Sequence, residues 1–286
     1  MTTKDASPDF HGLRVLALES RRATEVASLI ATYGGAPVVA PALREVPLES
    51  NTEALAFAAA LLRDELDIVI FLTGVGTRVL VSAIEHACTR DQFVTALART
   101  KVVARGPKPL AVLRELHVPV WIAVPEPNTW REVLAAMDAR AAEQSLAGAR
   151  IAVQEYGVSN AELLDGLAAR GARVSRVPVY RWALPDDITP LKNAVAAIAA
   201  GDVDAVMFTT GVQVVHLWQV VRDLKVEPEV RRGLARAVVA SIGPTTSEEL
   251  RRHGLSVDLE ASHPKFGLLI RELAERSESL LRTKAQ

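Results

Sequence analysis

Asp67-Ile68-Val69-Ile70-Phe71-Leu72-Thr73-Gly74-Val75 recurs as Asp204-Ala205-Val206-Met207-Phe208-Thr209-Thr210-Gly211-Val212, at an offset of 137 residues (204 − 67). Gly106-Pro107 and Gly243-Pro244 keep that offset, and Gly35-Ala36 and Gly171-Ala172 stand 136 apart (171 − 35). Three matches in one order at nearly one spacing imply duplicated architecture, and a period this long is a domain rather than a solenoid repeat. Each copy of the opening stretch is an apolar run with no polar alternation, which reads as a central parallel strand buried on both faces. Two similar domains leave a cleft, and clefts between domains are favoured by small ligands.

Working outward, short apolar runs alternate with helical patterns, which predicts an α/β fold of two similar domains, each a parallel sheet flanked by helices. Leu13 to Leu18 reads as a strand and Arg22 to Tyr33 as a helix stopped by Gly34-Gly35; Pro37 to Ala40 is the next strand. The second copy repeats the order with strand Ala149 to Gln154, helix Asn160 to Arg170 and strand Arg173 to Val177. Strands Lys101 to Ala104 and Ala237 to Ile242 each run into a Gly-Pro turn, and each half closes on a Pro-bearing loop and a helix, Pro125 to Arg140 and Pro264 to Ser277. Residues 41–50 and 177–186 are rich in proline and lack helical periodicity, so they read as two extended interdomain connectors, the two sides of a hinge.

Composition narrows the function classes. Lys and Arg number 33 against 34 Asp and Glu, so no global field favours nucleic acid or an anionic membrane. Cys88 is the only cysteine, which excludes an intramolecular disulfide and a thiolate metal cage; within its apolar surroundings it reads as a buried, inert thiol. The six histidines are dispersed without metal-ligand spacing, so no metal site is expected. His216, within Val214-Val215-His216-Leu217-Trp218, reads as a satisfied helix residue. The N-terminus has no apolar signal-peptide core and no run is long enough to span a bilayer, so the expectation is a soluble, cytoplasmic protein with frayed tails at Met1 to Asp9 and about Ser277 to Gln286.

Ligands of open α/β sheets bind at the carboxyl ends of the strands, where helix N-termini present unpaired N–H groups to anions. Thr73, Gly74 and Val75, with Arg105 and Gly106, occupy such places in one copy; Thr209, Thr210 and Gly211, with Gly243, Pro244, Thr245 and Thr246, occupy them in the other. Helix capping competes as an explanation, since Thr245 with Glu248 and Thr246 with Glu249 both fit a capping box. Gly74-Val75-Gly76 lacks the third glycine of a dinucleotide fingerprint, Val79 standing in its place. Tyr180, in the second connector, offers a phenol as hydrogen-bond donor to a departing oxygen, or else packs that connector against Trp182. Tyr156 and Gly157 lie in a strand-to-helix loop. Arg78, Lys108 and Arg181 are further charges near the loops, each equally readable as a solvated surface residue.

Together these residues resemble the uroporphyrinogen-III synthase family over nearly the whole chain. Ile242-Gly243-Pro244-Thr245-Thr246-Ser247-Glu248-Glu249-Leu250 is similar to the family's Gly-x-Thr-Thr loop before a helix, and Phe208-Thr209-Thr210, Val179-Tyr180-Arg181 and Gln154-Glu155-Tyr156-Gly157 support it. The resemblance implies a lyase that cyclises the linear tetrapyrrole hydroxymethylbilane with loss of water and inversion of ring D, giving uroporphyrinogen III for haem, cobalamin or chlorophyll synthesis. Tyr180 matches the position proposed in the family as proton donor. The resemblance further implies a cofactor-free enzyme, a monomer in at most transient contact with the preceding deaminase. It also implies a discontinuous first domain, 13–40 with 187–284, and a second at 51–176. Departures from the pattern are Thr73-Gly74 and Thr210-Gly211 for Thr-Ser, and Ser159-Asn160 for Gly-Arg. A non-catalytic module binding a tetrapyrrole or small anion on the same scaffold is the alternative.

Overall fold

The computed structural model describes residues 7–48, 50–155, 157 and 159–285. In chain order its elements are β1 (Arg14–Ala17), α1 (Ala23–Thr32), β2 (Ala36–Val39), β3 (Arg44–Pro47), α2 (Thr52–Leu62), β4 (Ile68–Phe71), α3 (Gly74–Ile84) and α4 (Arg90–Ala98). There follow β5 (Lys101–Ala104), α5 (Pro107–Glu115), β6 (Ile122–Ala123), α6 (Trp130–Asp138), β7 (Arg150–Glu155), α7 (Ala161–Ala168), β8 (Arg173–Pro178) and β9 (Tyr180–Ala183). The rest are α8 (Thr189–Ala200), β10 (Ala205–Phe208), α9 (Gly211–Leu224), α10 (Glu227–Arg236), β11 (Val238–Ser241), α11 (Pro244–Arg252), β12 (Leu259–Glu260) and α12 (Phe266–Lys284).

The chain divides into two compact units. Glu45–Trp182 forms a continuous unit; residues up to Arg44, with those from Ala183 onward, form a discontinuous one. The discontinuous unit holds a five-stranded sheet in the order β12-β11-β10-β1-β2, and the continuous unit one in the order β6-β5-β4-β7-β8. Every ladder in both sheets is parallel, as in Val15↔Ala205 and Ile68↔Ile151. The two orders are the same, with β1 and β7, β2 and β8, and β4 and β10 in matching places. Each strand–helix–strand piece therefore pairs with the three strands of the other sequence copy: β1-α1-β2 lies beside β10, and β7-α7-β8 beside β4.

The aspartates that open the repeated stretch tie those pieces in. Asp204 accepts from the Arg14 backbone N–H (2.7 Å), Nε (3.0 Å) and Nη2 (3.0 Å); Asp67 accepts from Arg150 in the same way at 2.7, 3.1 and 2.9 Å. A bidentate guanidinium–carboxylate fork with a main-chain bond added is stronger than an ordinary surface ion pair. Both carboxyls are held below the usual aspartate range, first by the arginine hydrogen bonds.

Alternation along the strands divides each core in two. Leu16, Val206 and Phe208 pack with α8, α9 and α10, while Val15, Ala17, Ala205 and Met207 pack with α1 and α12. In the other unit Val69 and Phe71 pack with α2, α3 and α4, and Ile68, Ile70 and Leu72 with α6 and α7. Successive side chains of a strand point to opposite faces, so a sheet covered on both sides needs these uninterrupted apolar runs. Burying each of the phenylalanines 71 and 208, both fully inaccessible, stabilises by about 1.5–3 kcal/mol.

Two expectations change. The expected frayed tail from Ser277 is helix: α12 runs to Lys284, Ser277 is fully buried, and Lys284 Nζ meets Asp258 Oδ2 at 2.6 Å and the Ala237 carbonyl at 2.7 Å. A buried stripe (Leu269, Ile270, Leu273, Ala274) carries the helix past the point where polar composition suggested fraying. Neither threonine capping box forms, because α11 starts earlier, with Gly243 as N-cap and Pro244 in the first turn; this places both threonines inside the helix. The segments read as extended connectors contain the strands β3 and β9, which pair as a two-stranded sheet. Arg44 binds Asp186 (2.9 Å) and the Leu184 carbonyl (3.1 Å) beside it.

Candidate functional site

In both units the order of strands reverses beside a central pair, β4–β7 in one and β1–β10 in the other; the candidate residues follow the carboxyl ends of β4, β5, β7, β10 and β11, with Tyr180 in β9. In the continuous unit Thr73 caps α3, its hydroxyl accepting from Gly76 N–H at 3.0 Å. Among the described residues, the N–H groups of Gly74 and Val75 meet no acceptor. Gly74 is buried against α5, where a Cβ would stand 2.7 Å from the Lys108 carbonyl oxygen; Val75 is 39% exposed. Beside them Gly106 caps α5, with Pro107 following. Asn128, with its amide oriented to suit its neighbours, donates to the carbonyls of Arg105 (2.9 Å) and Val124 (2.9 Å), stitching the loops after β5 and β6 together.

A buried glutamine organises each strand end, but from different elements. In the continuous unit Gln154, at the end of β7, accepts from Thr73 N–H (3.4 Å) and donates to the Glu155 carbonyl (2.6 Å). Facing it is Gly76, where any Cβ would run into the amide. In the discontinuous unit the amide comes from the helix: Gln213 accepts from Thr209 N–H (2.7 Å) and donates to the Leu18 carbonyl and to Thr209 Oγ1, each at 3.0 Å. Apolar Leu18 stands where Gln154 stands in the other unit.

Tyr180 lies in β9, 6% exposed, with its ring edge-on to Trp182 (centroids 5.5 Å, planes at 88°). Its carbonyl accepts from Gly157 N–H at 3.2 Å, which brings it beside the β7–α7 loop. Gly157 has φ +63 and a Cβ there would strike the Trp182 ring, so both backbone and space require glycine. Tyr156 lies outside the described residues. Ser159 donates to Glu155 Oε1 (2.6 Å) and Asn160 caps α7 through Leu163 N–H (2.9 Å). Arg78 binds Glu115 (2.6 Å), well within the surface reading of that charge.

In the discontinuous unit Thr210 caps α9 through Val212 N–H (3.4 Å), and Gly211 faces Glu249 of α11, bringing the two helix starts together. Gly243 is buried and its N–H donates to Ser241 Oγ (3.3 Å). Thr245 is exposed beside Pro244, whereas Thr246 is buried. His216 is satisfied by the Ala42 carbonyl (2.7 Å), and burial pushes the Cys88 thiol up. Among the described residues no three His, Cys, Asp or Glu side chains gather as metal ligands, and no helix is long and apolar enough to cross a membrane.

With this geometry established, comparison with known proteins is decisive for the family. The family model HEM4, uroporphyrinogen-III synthase HemD, matches residues 24–271. The chain belongs to the uroporphyrinogen-III synthase family. Among relatives of this family member, the putative uroporphyrinogen-III synthase of Methanothermobacter thermautotrophicus is 31% identical over 238 residues, 82% of this chain and 87% of that one. The uncharacterized protein YjjA of Bacillus subtilis is 29% identical over 273 residues, 93% and 97% of the two chains. A crystal structure of a mutant uroporphyrinogen III synthase from the extremely thermophilic bacterium Thermus thermophilus shares the fold, with a TM-score of 0.70 at 24% identity, covering 95% of this chain and 100% of that one.

Sequence reasoning missed several residues of this uroporphyrinogen-III synthase family member: Gln213, which positions Thr209, Asn128, and Glu19, whose carboxylate accepts from Thr209 Oγ1 at 2.8 Å. A signal for Glu19 existed, since Glu155 stands 136 residues on, the spacing of the Gly-Ala pairs. Gln213 carried no such signal, because its counterpart is a glycine.

Proposed function

We propose that this protein catalyses the uroporphyrinogen-III synthase reaction in tetrapyrrole synthesis: dehydrative closure of hydroxymethylbilane with inversion of ring D. The observation that carries the reading is the recurrence, in each unit, of a Thr-Gly helix start beside a Gly-Pro helix start at the carboxyl end of the sheet. Such N-termini hold carboxylates without formal charge, which suits the acetate and propionate groups of the substrate in a chain of near-zero net charge. Substrate binding falls to Thr73, Gly74, Val75, Arg105, Gly106, Tyr156 and Gly157 in the continuous unit, and to Thr209, Thr210, Gly211, Gly243, Pro244, Thr245 and Thr246 in the discontinuous one. The enzyme works as a cytoplasmic monomer without a cofactor, since the electron-rich pyrrole expels its own hydroxyl. Its main task is orientation, holding the chain so that the substituted carbon attacks. Tyr180 donates the proton that lets the hydroxyl leave.

One observation favours the non-catalytic alternative, a tetrapyrrole- or anion-binding module: Tyr180 is buried and packed on Trp182. A coupled assay separates the readings. Porphobilinogen and a deaminase supply the bilane, and the oxidised products are resolved as type I and type III isomers. Type III product on adding this protein supports the enzyme; type I alone refutes it. Tyr180→Phe is expected to slow type III formation while leaving product binding intact, and a normal rate would reduce Tyr180 to a packing residue.

A further inference from the structure

Glu19 and Glu155 occupy matching positions at the ends of β1 and β7, yet their environments differ. Glu155 is spent: its side chain is 4% exposed, Oε2 meets Arg176 Nε at 2.9 Å and Oε1 accepts from Ser159 Oγ at 2.6 Å. Glu19 is half-buried and held by a neutral donor, Thr209 Oγ1, at its Oε2. That hydroxyl is itself oriented. The amide nitrogen of Gln213 can only donate, so its 3.0 Å bond occupies a lone pair of Thr209 Oγ1 and sends the hydroxyl proton to Glu19. Gln213 is 1% exposed and fixed by Leu18 and Thr209 N–H. The other unit has no such chain, since Leu72 stands in place of Thr209. The nearby cation Arg22 is forked onto Glu25 (2.6 and 2.5 Å) and stacked on Phe266 at 3.6 Å, and it reaches Glu19 through its field, without a hydrogen bond to it. Among the described residues Glu19 Oε1 accepts no hydrogen bond.

A carboxylate oriented by Thr209 and Gln213, with its other oxygen open among the described residues, suits N–H donors and developing positive charge. We propose that Glu19 is a catalytic residue of the discontinuous unit, accepting a pyrrole N–H of the linear tetrapyrrole and stabilising the cation formed as the hydroxyl leaves. This rests on the reading of the chain as a uroporphyrinogen-III synthase. When the hydroxymethyl C–O bond breaks, its electron pair goes to oxygen, which takes one proton and departs as water. The ring nitrogen lone pair supplies the new π-bond, so positive charge gathers at that N–H. Glu19 meets it without taking the proton, and the dipole is already aligned by Thr209 and Gln213, so no reorganisation is needed at that moment.

The test is the isomer-resolved coupled assay on the full chain with Glu19→Gln, Glu19→Asp and Glu155→Gln. Glu19→Gln keeps an acceptor for Thr209 and removes the charge. It is expected to lower kcat for type III product by about 10²-fold, the scale for losing one oriented electrostatic group, with KM within about threefold. Glu19→Asp, retaining charge, is expected to recover at least tenfold of that loss; Glu155→Gln lowers the urea midpoint instead of kcat. Wild-type kcat in Glu19→Gln overturns the proposal, as does a Glu19→Asp variant no better than Glu19→Gln. Type I product alone from the wild type would instead refute the synthase reading, and this proposal with it.

Discussion

Exchanging the glutamine of the continuous unit for the arrangement of the discontinuous one is a demanding test of the packing at the strand ends. Gln154→Leu introduces the residue type of Leu18 and removes the 2.6 Å bond to the Glu155 carbonyl and the 3.4 Å bond from Thr73 N–H. A buried group left unpaired costs about 1–3 kcal/mol, and the longer bond is near the geometric limit, so the expected loss is about 2–3 kcal/mol. Gly76→Gln alone places a Cβ 2.7 Å from both Gln154 Cδ and Thr73 Oγ1. Overpacking of this kind costs about 1–3 kcal/mol, offset by about 0.5–1 kcal/mol for removing a helical glycine. Together the changes should compensate. The amide would enter from α3 as Gln213 enters from α9, and the Thr73 hydroxyl would move to Val75 N–H, as Thr210 caps Val212. The double variant is expected within about 1 kcal/mol of wild type, a coupling of about 2–3 kcal/mol. Urea unfolding followed by circular dichroism reads this directly: with a slope of about 1–3 kcal/mol/M, Gln154→Leu lowers the midpoint by about 1 M and the double variant restores it. A double variant that unfolds at or below the weaker single variant would refute the claim that the two amides do one job.

Further outcomes follow from the forks, the C-terminal helix and the β7–α7 loop. Asp67 and Asp204 have folded pKa values lowered below about 3.9, so their stabilisation is complete above that pH and lost as pH falls through the folded values; Asp204→Asn should cost about 1–2 kcal/mol at pH 7 and flatten the acid limb of a stability–pH curve. An unchanged acid limb would show that the Arg14 fork contributes nothing. Ser277→Ala removes a buried hydroxyl that has no partner among the described residues and should raise the thermal midpoint, by the equivalent of about 1 kcal/mol; a lower midpoint would mean the hydroxyl is satisfied. Gly157→Ala drives a Cβ into Trp182 and should shift tryptophan emission while weakening substrate binding, whereas unchanged emission would contradict the contact.

Most of the local structure was legible in the sequence. Apolar runs without alternation marked β4 and β10, glycines marked helix ends, and Thr-Gly and Gly-Pro marked four of the candidate loops, because strand burial, helix termination and capping depend on neighbours within a turn or two of chain. Composition misled at α12, where polar residues on an exposed face hid a buried stripe, and at α11, where a proline in the first turn outranked the threonine caps.

By itself, the sequence determined two copies of one α/β pattern, the placement of candidate residues at strand ends, and, through its resemblance, the family. Tertiary structure alone decided which partners those residues find. It set β1 against β10 and β7 against β4, gave one strand end its glutamine from a helix and the other from a strand, sank Tyr180 into an apolar cluster, and gave Glu19 a hydroxyl partner where Glu155 is paired with Arg176. The reason is physical. Periodicity and caps are encoded within about ten residues, whereas an unpaired amide or carboxylate is satisfied by whichever group the fold brings near it, here 190 positions away for Thr209 and Glu19.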